Sequence, residues 1–214
     1  MGLYVWKFPF REVLKPLAKA LRGVNPDLVS YLAVVVAFFT GVCFYFAGDQ
    51  PFLLIGAIVL IFLRMILNTL DGVMAIEINK SGPEGEIVNA LPDRYSDIFV
   101  MLGIAFSPYC NVYLGAIASI SVLLVSYTGM MGKAIGVSWQ HSGPLGKVER
   151  LILIMIAALL QYICALKNIN HFTLFSFRLS VIEILMVWFV IAAQISIFNR
   201  VRSALREIKE MRNA

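Results

Sequence analysis

Residues 68–97 read NTLDGVMAIEINKSGPEGEIVNALPDRYSD. Asp71, Asp93 and Asp97, with Asn68 and Asn89, stand against or inside long apolar runs, where charge is expensive. On a helix, residues three or four apart are neighbours. Asn68 and Asp71 therefore share a face, and Gly72 and Ala75 continue on that side. Gly85, Asn89, Asp93 and Asp97 recur at every fourth position and form a second, slowly winding stripe. The short connection containing KSGPEG makes the two segments consecutive antiparallel helices with adjoining ends. Facing each other, two oxygen-bearing stripes make a cage for a hard divalent cation such as Mg²⁺, Mn²⁺ or Ca²⁺. Three mutually repelling carboxylates ionise together only with a cation among them. One left partly free of that cation can act as a general base.

The rest of the chain supplies the setting. It has 214 residues, 60% hydrophobic and 14% charged, whereas a soluble domain carries roughly 25% charged residues. The apolar surplus must face lipid. At about 20 residues per span, six transmembrane helices are predicted, near 28–47, 51–70, 86–106, 112–132, 150–167 and 174–198. The reading is an all-α integral membrane protein of one domain: an interfacial segment over 1–27, a six-helix bundle over 28–198 and a cytoplasmic tail over 199–214. Val13, Leu14, Leu17 and Leu21 share one face of an amphipathic helix ahead of the first span, with lysines and arginines largely elsewhere. Pro16 is expected to kink it.

Lysine and arginine placement sets the orientation. Fourteen of them flank one side of the predicted spans, and Lys167 alone flanks the other. Both termini and the acidic stripes are thus expected on the cytoplasmic side of an inner membrane. The net charge of +5 is concentrated at the ends of apolar runs, which suits anionic lipid headgroups and gives no reason to invoke nucleic acid. Cys43, Cys110 and Cys164 lie in or beside separate runs and read as reduced. Lys133, Lys147 and Arg150 form a second polar cluster, on the same side as the stripes. It reads either as flanking charge or as part of a binding site. Arg178 and Glu183 are expected to neutralise each other in the sixth span.

The order Asn68-x2-Asp71-Gly72-x2-Ala75-Ile76-x8-Gly85-x3-Asn89-x3-Asp93 resembles the signature of the CDP-alcohol phosphotransferase family, D-x2-D-G-x2-A-R-x8-G-x3-D-x3-D. Asp71, Gly72, Ala75, Gly85 and Asp93 are identical to it; Asn68, Ile76 and Asn89 depart from it. The six predicted spans, the interfacial helix and the run GVNPDLVSYL at the head of the first span also resemble that family. The resemblance implies transfer of a substituted phosphate from a CDP-alcohol, usually CDP-diacylglycerol, to an acceptor alcohol, with release of CMP. It implies two Mg²⁺ or Mn²⁺ ions held around Asn68, Asp71, Asn89 and Asp93, with Asp97 as an added acid. Asp93 would be the catalytic base. Asp71, Gly72, Ala75 and Gly85 would meet the CDP group, and Lys133, Lys147 and Arg150 would meet an acceptor's phosphate. A homodimer is implied as well. Two other readings stand beside this one: a degenerate member serving as a scaffold, and a cation or proton transporter. Against the transporter, the acids gather at one end of two neighbouring helices and no inverted repeat is visible.

Overall fold

The computed structural model describes residues 7–21, 23–77, 83–138, 140, 142–174 and 177–213. Its helices are α1 (Lys7–Ala20), α2 (Pro26–Tyr45), α3 (Leu53–Glu77), α4 (Pro83–Ala105), α5 (Val112–Ala134), α6 (Lys147–Leu166) and α7 (Val181–Asn213). Among the described residues, α2, α3, α5, α6 and α7 are long and apolar enough to cross a membrane, which makes this an integral membrane protein. α4 carries Asp93, Arg94 and Asp97 in its middle and is the most polar of the long helices after the charged end of α7 is set aside.

Local chemistry sets the helix starts. Asn25 caps α2, accepting from the Asp27 amide at 3.1 Å, and Pro26 fills the first helical position, where a missing N–H costs nothing. Asn111 caps α5 through the amides of Tyr113 and Leu114. α7 begins with a reciprocal capping box: Ser180 Oγ accepts from the Glu183 amide at 2.9 Å, and Glu183 Oε2 accepts from the Ser180 amide at 2.8 Å.

Two expectations change here. The sixth span does not begin at 174; Phe172–Leu174 (β1) pairs antiparallel with Phe177–Leu179 (β2), Thr173 opposite Arg178. The architecture is therefore helical with one short β-ribbon. Arg178 lies in that ribbon, and Glu183 spends its carboxylate on the amides of Asn111 and Ser180. The cap, and no ion pair with Arg178, accounts for an acid at the head of an apolar helix. The three cysteines are free, as expected. Burial, and then the nearby Glu183 charge, push the Cys110 thiol up to about 12, so it stays protonated at neutral pH.

α2 packs on α3 and α4, α5 on α4 and α7, and α6 on α3 and α7. α2 and α4 touch backbone to backbone: a Cβ on Gly103 would overlap the Gly41 backbone, and one on Gly41 would overlap the Phe99 carbonyl. No rotamer change relieves such a clash. Gly103→Ala is expected to cost about 1–3 kcal/mol, seen as a lower unfolding midpoint in detergent. A second cluster, Ala18, Val29, Ala33, Val36, Leu67, Leu70, Val73 and Met74, joins α1, α2 and α3. Leu70 and Val73 bracket Asp71 and Gly72, so this packing fixes the azimuth of the first polar stripe. α1 continues through Pro16 as one helix.

Candidate active site

Asp71 is buried in the last third of α3. Ser30 Oγ of α2 donates to its Oδ2 at 2.7 Å. That serine stands one turn inside α2, in the capped run GVNPDLVSYL. Asp93, on α4, accepts at Oδ1 from Lys147 Nζ, the first residue of α6, at 2.5 Å. The carboxylates of Asp71 and Asp93 and the Lys147 ammonium are close enough to act on one another electrostatically. Asp71 on α3 and Asp93 on α4 are thus near enough to feel each other's charge. Gly85 and Asn89 lie in the first half of α4, outside the residues whose side chains are described.

Gly72 decides what the convergence can hold. A Cβ built there meets nothing within 4 Å. Unlike Gly41 and Gly103, this glycine is not needed for helix packing; it leaves open space beside Asp71. Ala75 is half-buried on the same helix and Ile76 is exposed. The amide nitrogen of Asn68 is buried without a hydrogen-bond partner, so its side chain is not committed to the protein on that side. Asn68, Asp71 and Asp93 supply oxygen donors of the kind that hold Mg²⁺ or Mn²⁺. Among the described residues no three of His, Cys, Asp or Glu gather as a ligand group; the Asn68 amide is a further oxygen that a divalent ion could use.

Asp97 has surroundings different from those expected. One turn past Asp93, it is buried and accepts from Arg64 Nη2 of α3 at 2.9 Å and from Arg150 Nη2 of α6 at 2.6 Å. Arg94 Nη1 lies 3.5 Å from its Oδ2. Each of its oxygens faces a guanidinium group, so its charge is already offset by arginine. Arg150 correspondingly faces a carboxylate, and Lys147 pairs with Asp93. Lys133 is exposed in the last turn of α5 and is not part of these two ion pairs.

The sequence alone assigned no role to Ser30, Arg64 or Arg200. Arg200 is buried on α7, donating to the carbonyls of Val125 and Ser142 at 2.5 and 3.2 Å. Its charge acts on Arg150 and Arg94. A membrane-embedded arginine seven residues before Asp71 was the available signal for Arg64; Arg200 fell in the segment read as a cytoplasmic tail. Together Arg64, Arg94, Lys147, Arg150 and Arg200 outnumber Asp71, Asp93 and Asp97. Arg64 Nε, Arg64 Nη1 and Arg94 Nε are buried donors without partners. The net charge favours an anion.

Comparison with known proteins agrees with this architecture. No family model matches the chain. It is 30% identical to the inner membrane protein YnbA of Escherichia coli over 155 residues, covering 72% of this chain and 77% of that protein. It is 31% identical to phosphatidylinositol phosphate synthase of Streptomyces avermitilis over 159 residues, 70% of this chain and 63% of that one. Archaetidylinositol phosphate synthase of Pyrococcus horikoshii is 26% identical over 153 residues, 72% of this chain and 78% of that one. The solved structure of Mycobacterium tuberculosis phosphatidylinositol phosphate synthase with CDP-DAG bound superposes with a TM-score of 0.71 at 21% identity, over 90% of this chain and 94% of that one. The same enzyme with manganese and citrate gives 0.70, over 89% and 88%. Helix order, the paired stripes on α3 and α4 and these relatives agree: the chain belongs to the CDP-alcohol phosphotransferase family.

Proposed function

We propose that this protein transfers a phosphatidyl-type group from a CDP-linked lipid, CDP-diacylglycerol, to a hydroxyl of a small polar acceptor, releasing CMP. The observation that carries the proposal is the convergence of Asp71 and Asp93 beside the open space at Gly72. Relatives named as phosphatidylinositol phosphate and archaetidylinositol phosphate synthases support it, as does the CDP-DAG held by the mycobacterial enzyme.

The acceptor oxygen attacks the phosphorus that bears the lipid alcohol. A new P–O bond forms there, the bond to the CMP phosphate breaks, and CMP leaves with that electron pair. Asp93, within reach of solvent at 24% side-chain exposure, takes the acceptor's proton. Asn68 and Asp71, with Asp93 close by, would hold a divalent ion, whose chemistry is to offset charge on the diphosphate and the departing CMP. Gly72 and Ala75 let the nucleotide approach the α3 backbone. Asp97 stays outside the ligand set and orients Arg64 and Arg150. The surplus of arginine and lysine favours an acceptor that itself carries phosphate. α4, at about 34 Å for its length, is the sixth span. α1 lies in the interface, with Leu14 and Ala18 packed inward and Val13 and Leu17 exposed to lipid. Termini and site face the cytoplasm, as the placement of lysine and arginine requires, which suits a nucleotide-activated donor.

The test is CMP release by purified protein from labelled CDP-diacylglycerol with Mn²⁺ or Mg²⁺ and a panel of phosphorylated and unphosphorylated alcohols. Release that needs an acceptor and is stopped by EDTA is expected. Ion uptake into proteoliposomes with no CMP formed would replace this reading with the transporter. Gly72→Val is expected to abolish CDP-lipid binding with little change in unfolding midpoint, because its side chain enters ligand space and not a helix contact. A large drop in midpoint would show that Gly72 serves packing.

A further inference from the structure

We propose that Lys147 is a resident cation of this site, doing at Asp93 what a second metal ion would do, so that the protein binds one divalent ion per chain. This rests on the transferase reading above and makes its metal requirement specific.

The stripes on α3 and α4 offer Asn68, Asp71, Asn89 and Asp93, and only the two aspartates carry charge. An amide oxygen can ligate a hard cation but brings no charge to offset it. Lys147 Nζ sits 2.5 Å from Asp93 Oδ1, and Arg94 Nη2 lies 3.9 Å from Asp93 Oδ2. Both oxygens of Asp93 already have a cationic neighbour. Asp71, by contrast, accepts from the neutral hydroxyl of Ser30. After the Lys147–Asp93 pair is formed, one uncompensated carboxylate remains on the stripes. Two dications at the roughly 3.5–4 Å spacing of two-metal sites would repel each other strongly against so little negative charge. One dication on Asn68 and Asp71 is offset by Asp71 and by the donor's diphosphate. The arrangement is built into the fold: Lys147 opens α6, and Arg150, one turn on, anchors the same helix to Asp97 on α4. An ammonium with three donors can also hold a diphosphate oxygen.

Metal-stripped wild-type protein titrated with Mn²⁺, with free Mn²⁺ read by electron paramagnetic resonance, counts the ions without reference to turnover. One equivalent is expected. Lys147→Met frees Asp93 and should add a second equivalent or tighten the first at least tenfold. Lys147→Arg keeps the charge and should stay at one. Two equivalents in wild type, unchanged in Lys147→Met, overturn the proposal, as does no binding at all. If Lys147→Met does not fold, the wild-type count and the Lys147→Arg count still decide. CMP release from the same preparation separates the two levels. Two ions with CMP release remove the role of Lys147 and keep the transferase. One ion without CMP release from any CDP-lipid supports the ion count and removes the transferase.

Discussion

Asp97→Ala is expected to lower the stability of the protein by about 3–5 kcal/mol, the range for stripping one partner from a buried ion pair. The reason is the burial of what it leaves behind. Arg64 is fully buried and Arg150 is 2% exposed, and both lose their anion at once. Arg64 already has two donors without partners, so no spare acceptor stands by. The network ties α3, α4 and α6 together at the depth of the site, and its loss should loosen all three. In detergent the unfolding midpoint should fall by about 10 °C. Asp97→Asn combined with Arg64→Met, which removes an uncompensated charge along with its partner, should recover part of the loss. Equal midpoints for wild type and Asp97→Ala would mean that the arginines are solvated.

Asp93→Asn should do the opposite: leave the fold intact and remove activity, with CMP release falling on the order of 10³-fold. Its side chain is partly exposed, and the amide oxygen can still accept from Lys147. What it cannot do is take a proton from the acceptor. Two aspartates one helical turn apart are thus expected to separate cleanly, one moving the midpoint and the other the turnover. If Asp93→Asn retains wild-type CMP release, the base is some other group.

Most of the membrane architecture was legible because it rests on apolar length alone. The spans expected at 28–47, 51–70, 112–132 and 150–167 fall on α2, α3, α5 and α6. The head of α7 was misplaced because Phe172, Leu174, Phe177 and Leu179 are as apolar as a span; the Ser180-x2-Glu183 box was the sign of the true start. That Asp71 and Asp93 come near enough to interact agrees with the helical spacing on which the two stripes were drawn. The arginine partners of Asp97 were not legible, for a physical reason. Spacing by four puts it on the stripe of Asp93, and periodicity along one helix says nothing of which neighbours close around each turn. Arg64 on α3 and Arg150 on α6 reach it only through tertiary packing. The same holds for Ser30 on Asp71 and Lys147 on Asp93, which join positions 41 and 54 residues apart.

Crystals of the protein grown with Mn²⁺ and a CDP-lipid, measured at the manganese absorption edge, test the convergence of α3 and α4 most directly. An anomalous peak in contact with Asp71, within a few ångströms of Asp93 and of the lipid's diphosphate, is the expected result. Carboxylates turned away from each other, with hydrocarbon side chains packed between them and manganese elsewhere, would contradict it.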